Sequence, residues 1–334
     1  MRMKFLVAGY GSIGQRHFRN LLALGEGDIL FYRTHHSTLP DDELSGFPVE
    51  TDLQAALAHR PDAVIVSNPT ALHLDVGIPS ALAGCHLFLE KPISHSLEGL
   101  DRLQDALEIG GGKVYVGFQF RFHPNLLKIK RWLTDGAIGR PLSVHAHWGE
   151  YLPGWHPWED YRQGYSARAD LGGGVILTLC HPFDYLRWLL GEVSEVWAFT
   201  GHISDLQFEV DDVAEIGFRF ANGALGSLHL DYIQRPASHR LEIIGSSGTI
   251  FWDSFEGKVA IFRSQGQVRA PDWEKFPTPE NFQRNDMFLD EMEHFIQVVR
   301  GETSPRCTLE DGVSALRLAL AAHESQMRGQ IISL

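Results

Sequence analysis

The chain has 334 residues, 44% of them hydrophobic, which is enough for one large or two ordinary domains with a sizeable core. Its 29 Lys and Arg against 42 Asp and Glu give a net charge of −13, which argues against broad nucleic-acid or anionic-membrane binding but leaves room for a local phosphate pocket. Three well-separated cysteines, Cys85, Cys180 and Cys307, fit neither a disulfide framework nor a zinc spacing, so free thiols in a reducing cytosol are expected.

The N-terminal run "MRMKFLVAGYGSIG" passes straight into glycines and lacks the apolar core and cleavage site of a signal peptide. No stretch approaches the ~20 apolar residues that span a bilayer. A soluble, cytoplasmic protein with no membrane partner is expected. "KFLVAG" (4–9) predicts a buried strand and Ser12 to about Leu24 a helix. "DILFYR" (28–33) and "DAVIVSN" (62–68) predict strands, and 72–84 a helix. "HLFLEKP" (86–92) and "KVYVGF" (113–118) complete the set, with a helix from about Ser96 to Leu107 between them. Apolar strands separated by helices indicate a parallel sheet covered on both faces.

After about residue 124 the pattern changes. "LSVHAHW" (142–148) alternates apolar and polar residues, and "EVWAFTGHI", "DVAEIGFRF", "ALGSLHLDY" and "HRLEIIGSSGTIFWD" follow with turn signals between several of them. This predicts an antiparallel meander with one covered face. Two helices, "NDMFLDEMEHFIQVVRG" and "LEDGVSALRLALAAHESQMRG", close the chain.

"VAGYGSIGQRH" holds Gly9-x-Gly11-x-x-Gly14 between a strand and a helix, the context in which this pattern binds a dinucleotide. The first glycine permits the turn, the second admits the pyrophosphate, and the third lets helix and strand pack closely. Backbone N–H groups of Ser12, Ile13 and Gly14 then face the phosphates. At the end of the second strand, "FYRTHH" places Tyr32 where an NAD site commonly has an acid, followed by Arg33 and Thr34. An arginine pairs with a 2′-phosphate and a threonine hydroxyl adds a hydrogen bond. This favours NADP and leaves NAD open.

"AGYGSIGQRH", "SNPTALH", "EKP", "GFQFRFHP" and "DLGGGVILTLCHPFDYLRWLLG" (170–191), in this order and spacing, resemble the Gfo/Idh/MocA oxidoreductases across essentially the whole chain. The resemblance implies a Rossmann domain, taken as 1–122, with a parallel sheet. It implies an α+β domain, taken as 123–334, with a large, mostly antiparallel open-faced sheet for substrate binding and oligomerisation. The C-terminal helices are free to pack back on the first domain. Homodimers or homotetramers, and hydride transfer at a hydroxyl or keto carbon of a sugar, cyclitol or sugar derivative, are implied as well. By family position Lys91 in Glu90-Lys91-Pro92 is the catalytic lysine and also touches cofactor and substrate. Ser67, Asn68, His73 and Glu90 lie beside the cofactor, Gln119 stands where relatives often have asparagine, and Arg121 faces substrate.

Removing a hydride from carbon and a proton from oxygen requires a positioned acid–base group, and Lys91 and His181 are suited to it. Were residues 174 to 190 one helix, Thr178, His181 and Asp184 would share a face. Asp184 would then orient His181 or pack against another element. Many relatives carry an acid three or four positions before this histidine, where this chain has Thr178 and Leu177. Thr178 is left as a substrate hydrogen-bonding group. Glycines 172 to 174 either let the backbone pass close to a ligand or form a flexible loop. The aromatic segment 151–168, with Trp155 as the substrate contact, suits either a sugar face or packing. No histidine has a recognised metal spacing, so no metal is assigned. A retained-cofactor epimerase or eliminase and a dinucleotide-responsive regulator are the alternatives.

Overall fold

The computed structural model describes residues 3–34, 39–40, 42–264 and 272–334. Its strands are β1 Lys4–Ala8, β2 Asp28–Tyr32, β3 Val49–Glu50, β4 Ala63–Val66, β5 His86–Glu90 and β6 Val114–Gly117. They continue as β7 Pro141–Gly149, β8 Val193–Gly201, β9 Val213–Phe220, β10 Leu225–Asp231 and β11 Ser238–Gly245. The last four are β12 Gly248–Asp253, β13 Lys258–Arg263, β14 Glu274–Pro277 and β15 Ile332–Ser333. The helices are α1 Ser12–Ala23, α2 Leu53–Ala58, α3 His73–Leu82, α4 Leu100–Gly110 and α5 Pro124–Thr134. After them come α6 Val175–Thr178, α7 His181–Leu190, α8 Arg284–Val299 and α9 Leu309–Arg328.

Two compact units result. The first comprises residues 1–119, 170–172 and 284–313, so the chain leaves it at Gln119, slightly before the expected boundary, and α8 belongs to it. Its six strands pair in parallel in the order β3-β2-β1-β4-β5-β6. Phe5, Val7, Val64, Ile65, Phe88 and Leu89 have no exposed surface, as strands covered on both faces require. Each such side chain contributes roughly 1.5–3 kcal/mol. Strand order reverses between β1 and β4, and ligands bind outside the carboxyl ends of the strands at such a point. The helix expected from Ser96 begins instead at Leu100, because Gly99 takes a left-handed conformation with φ 81° and breaks the preceding turn.

The second unit, residues 120–169, 173–283 and 314–334, is built on nine strands in the order β14-β13-β12-β11-β7-β10-β9-β8-β15. All its pairings are antiparallel except β7 with β10. A simple meander is therefore not what forms. The long excursion from 150 to 192, which carries α6 and α7, returns the chain so that β7 lies between β10 and β11. Parallel neighbours need such a crossover, which strand-by-strand periodicity does not register. Val144, Ala146 and Trp148 of β7 face the core, while His145 and His147 alternate to the other face.

Candidate active site

In the first unit every loop implicated by the sequence lies at the carboxyl edge of the sheet. Gly9 takes φ +97°, and a Cβ on it would stand 2.7 Å from the Asn68 nitrogen. A Cβ on Gly14 would overlap the Gly9 carbonyl oxygen and lie 2.8 Å from Ser67 Oγ. Around Gly11 the Cβ position meets nothing within 4 Å, and Gly11 starts α1 with no side-chain cap. The first-turn N–H groups of Ser12, Ile13 and Gly14 therefore lack intrahelical acceptors beside open space. A pyrophosphate fits that cradle by charge and by size.

Ser67 serves the cradle indirectly. Its hydroxyl bonds the Ala8 and Gly9 carbonyl oxygens, at 3.0 and 3.1 Å, and stitches β4 to the glycine loop. Asn68 donates its amide to Leu72 O at 2.9 Å. His73 is buried and pairs through Nε2 with Asn68 O at 2.9 Å, and burial pushes its pKa down. These three shape the loop after β4, and the hydrogen bonds of Ser67 and His73 point into the protein. At the end of β2, Arg33 is buried over the Tyr10 ring at 5.7 Å, whereas Thr34 is exposed. His35 and His36 of the "FYRTHH" stretch lie outside the described residues.

Glu90 closes β5 as a buried carboxylate. Burial opposes its ionisation, but the His17 hydrogen bond and the nearby His17 and Lys91 charges prevail and hold its pKa below the ordinary value. His17 Nε2 lies 2.6 Å from Oε1, and the Lys91 backbone N–H donates to Oε2 at 3.1 Å. Lys91 is half-exposed and joined to Pro92 by a cis peptide. The Glu90–His17 pair thus fixes the backbone that presents the lysine. The sequence reading did not single out His17 as this partner, although it sits inside the quoted "GQRH". Gln119 is buried just past β6.

In the second unit the helix expected over 174–190 is two helices. Pro182 has no N–H to continue the ladder, so α6 ends at Thr178 and α7 starts at His181. His181 is buried against Phe120, ring centres 4.9 Å apart, and Trp148, 5.5 Å apart. Asp184 lies one helical turn beyond it on α7 and is buried. The Asp184 carboxylate receives Arg121 Nε at 3.0 Å and the terminal guanidinium nitrogen at 2.6 Å. Arg121, expected to face substrate, is buried and makes this pair. Thr178, at the end of α6, is buried.

The glycines after Leu171 pass close to other parts of the protein. Cβ atoms on Gly172 would meet His95 and Thr70, on Gly173 the Ser166 and Arg168 carbonyl oxygens, and on Gly174 the Asp211 carboxylate. Trp155 stands edge-on to Tyr232, ring centres 5.6 Å apart, and its buried Nε1 has no hydrogen-bond partner among the described residues. Around His181 the fold also assembles residues that the sequence did not single out. His239 stacks on Trp148 with ring centres 4.3 Å apart and bonds the Tyr185 hydroxyl at 3.1 Å. Burial pushes the Tyr185 phenol up and the His123 imidazole down to about 4.

A parallel sheet with a glycine cradle at its switch point and a held lysine one strand further on defines a dinucleotide-dependent oxidoreductase. Residues 3–118 match the model for the oxidoreductase family with an NAD-binding Rossmann fold, and residues 126–251 match its GFO/IDH/MocA C-terminal domain. The chain belongs to the GFO/IDH/MocA oxidoreductases. It is similar to a myo-inositol 2-dehydrogenase of Thermotoga maritima, 30% identical with 97% of this chain and 96% of the relative covered. A scyllo-inositol 2-dehydrogenase (NAD(+)) of Bacillus subtilis is 28% identical, with 100% and 96% covered. Levoglucosan dehydrogenase in complex with NADH shares the fold at TM-score 0.86 and 20% identity, covering 100% of this chain and 99% of that one. Among the described residues no helix is long and apolar enough to cross a membrane.

Proposed function

We propose that this oxidoreductase interconverts a hydroxyl and a keto group on a sugar- or cyclitol-like polyol, using NADP in preference to NAD. The observation that carries the reading is Lys91 at the carboxyl end of β5, its backbone held by the buried Glu90–His17 pair. When bound, the nicotinamide accepts or supplies the hydride. Lys91 Nζ takes the hydroxyl proton in oxidation and returns it to the carbonyl oxygen in reduction. His181 in the second unit, its ring packed on Phe120 and Trp148, is the second candidate for proton transfer or for holding a substrate hydroxyl. Trp155 offers a sugar C–H surface its ring face and a hydroxyl its buried indole N–H. The NADP preference is supported by Arg33 at the end of β2 and by the lack of an acid at Tyr32, Arg33 or Thr34 to repel a 2′-phosphate.

The test is a fluorescence titration with NADPH and NADH, followed by an absorbance assay over a panel of inositols, hexoses, anhydrosugars and sugar acids. Turnover with a polyol, lost by about 10²–10⁴-fold in Lys91→Met while cofactor still binds, is the expected result. Full activity in Lys91→Met refutes the assignment. Equal loss of NADH and NADPH affinity in Arg33→Ala refutes the cofactor preference.

A further inference from the structure

On the face of the nine-stranded sheet opposite its core, the parallel pairing of β7 and β10 sets His147 beside His229. The two imidazoles stack with ring centres 4.6 Å apart. His229 lies between two carboxylates, with Nδ1 2.6 Å from Glu215 Oε1 and Nε2 2.9 Å from Asp231 Oδ2. Asp231 is buried, and its other oxygen accepts the Ile233 and Gln234 N–H groups at 2.7 and 2.6 Å, so Oδ2 is held in place. The same turn brings Gln234 Oε1 to 2.5 Å from His147 Nε2. Gly149 completes the arrangement. A Cβ there would overlap both Asp231 Oδ2 and Gln234 Oε1, so its absence keeps the space between these oxygens clear.

We propose that His147, His229 and Asp231 form a site for a divalent transition metal of the zinc class, with Gln234 Oε1 as an adjoining oxygen donor. The ligand atoms of the three residues lie within 4.8 Å of one another. Donors about 2.0–2.2 Å from a tetrahedral ion lie roughly 3.5 Å apart, so closure needs only a small rotation of the half-exposed imidazoles. Two nitrogens with a carboxylate select zinc, cobalt or nickel over calcium or magnesium, which favour all-oxygen shells. Glu215 on Nδ1 supplies the outer carboxylate that fixes the tautomer and orientation of a ligating histidine. Arg240, opposite His147 on β11, is turned to Asp253 Oδ2 at 3.0 Å. His229 and Asp231 share β10 while His147 comes from β7, so the sequence spacing does not bring the three donors together. The ion would clamp the parallel pairing of β7 with β10, and the site is independent of the redox chemistry.

The experiment uses the full chain, freed of any histidine tag and stripped with chelator, then titrated with Co²⁺ while the visible ligand-field bands are followed. The expected result is saturation at one Co²⁺ per chain, displacement by Zn²⁺, and a higher melting temperature with Zn²⁺ present. His147→Gln and His229→Gln each remove the bands, and Glu215→Gln weakens binding by about 10- to 100-fold. Circular dichroism of the metal-free variants establishes that they fold. Absence of saturable bands in the wild type overturns the proposal. Equal binding by wild type and both histidine variants also overturns it and means an adventitious ion only.

Discussion

Arg121 and Asp184 allow the division between binding and architecture to be measured. The guanidinium meets the carboxylate through Nε at 3.0 and 3.2 Å and through a terminal nitrogen at 2.6 Å. The side chains are only 5% and 1% exposed. Asp184→Asn keeps the shape but leaves a buried guanidinium without its counter-charge, which costs about 3–5 kcal/mol. For a domain of this size that lowers the melting temperature by roughly 6–20 °C. The paired replacement Arg121→Met with Asp184→Leu restores most of the loss, since neither charge is then buried. Urea and thermal unfolding of wild type, both single variants and the double variant close the cycle and give the coupling energy. Kinetics measured well below each melting point should show KM for substrate changing little. The reasoning fails if Asp184→Asn unfolds within about 0.5 kcal/mol of wild type, a surface-like response. It fails equally if Arg121→Met raises KM for an anionic sugar while stability stays unchanged.

Gly14→Ala places a Cβ against the Gly9 carbonyl and 2.8 Å from Ser67 Oγ, so NADH and NADPH binding should both be lost in a fluorescence titration. Ser67→Ala removes the stitch to Ala8 O and Gly9 O, costing about 1 kcal/mol in urea unfolding, with a modest loss of cofactor affinity. Burial lowers the folded pKa of His123 from 6.5 to about 4, so between these values the unfolded chain binds the proton and the folded chain does not. Stability therefore falls as pH drops through that window, by on the order of 3 kcal/mol at its lower end. His123→Asn, which retains an oxygen to cap the Asn125 N–H, should flatten the stability profile between pH 6.5 and 4.

The sequence by itself determined the first sheet and its cradle. Continuous apolar strands such as those ending at Ala8 and Val66 have one stable environment, a sheet covered on both faces, and a glycine where φ is +97° admits few substitutes. Lys91 was marked by its place at a strand end together with the family resemblance of Glu90-Lys91-Pro92. What the sequence did not determine depends on side chains that meet from distant positions. That Arg121 pairs with Asp184, that Ser67 bonds the Gly9 carbonyl and that His17 supports Glu90 depend on packing across tens of residues. The same holds for the parallel registration of His147 with His229, which exists only once the excursion after Gly149 has returned the chain to the far side of β7. Periodicity reports which face of an element is apolar, and the tertiary structure alone decides which polar groups on distant elements satisfy one another.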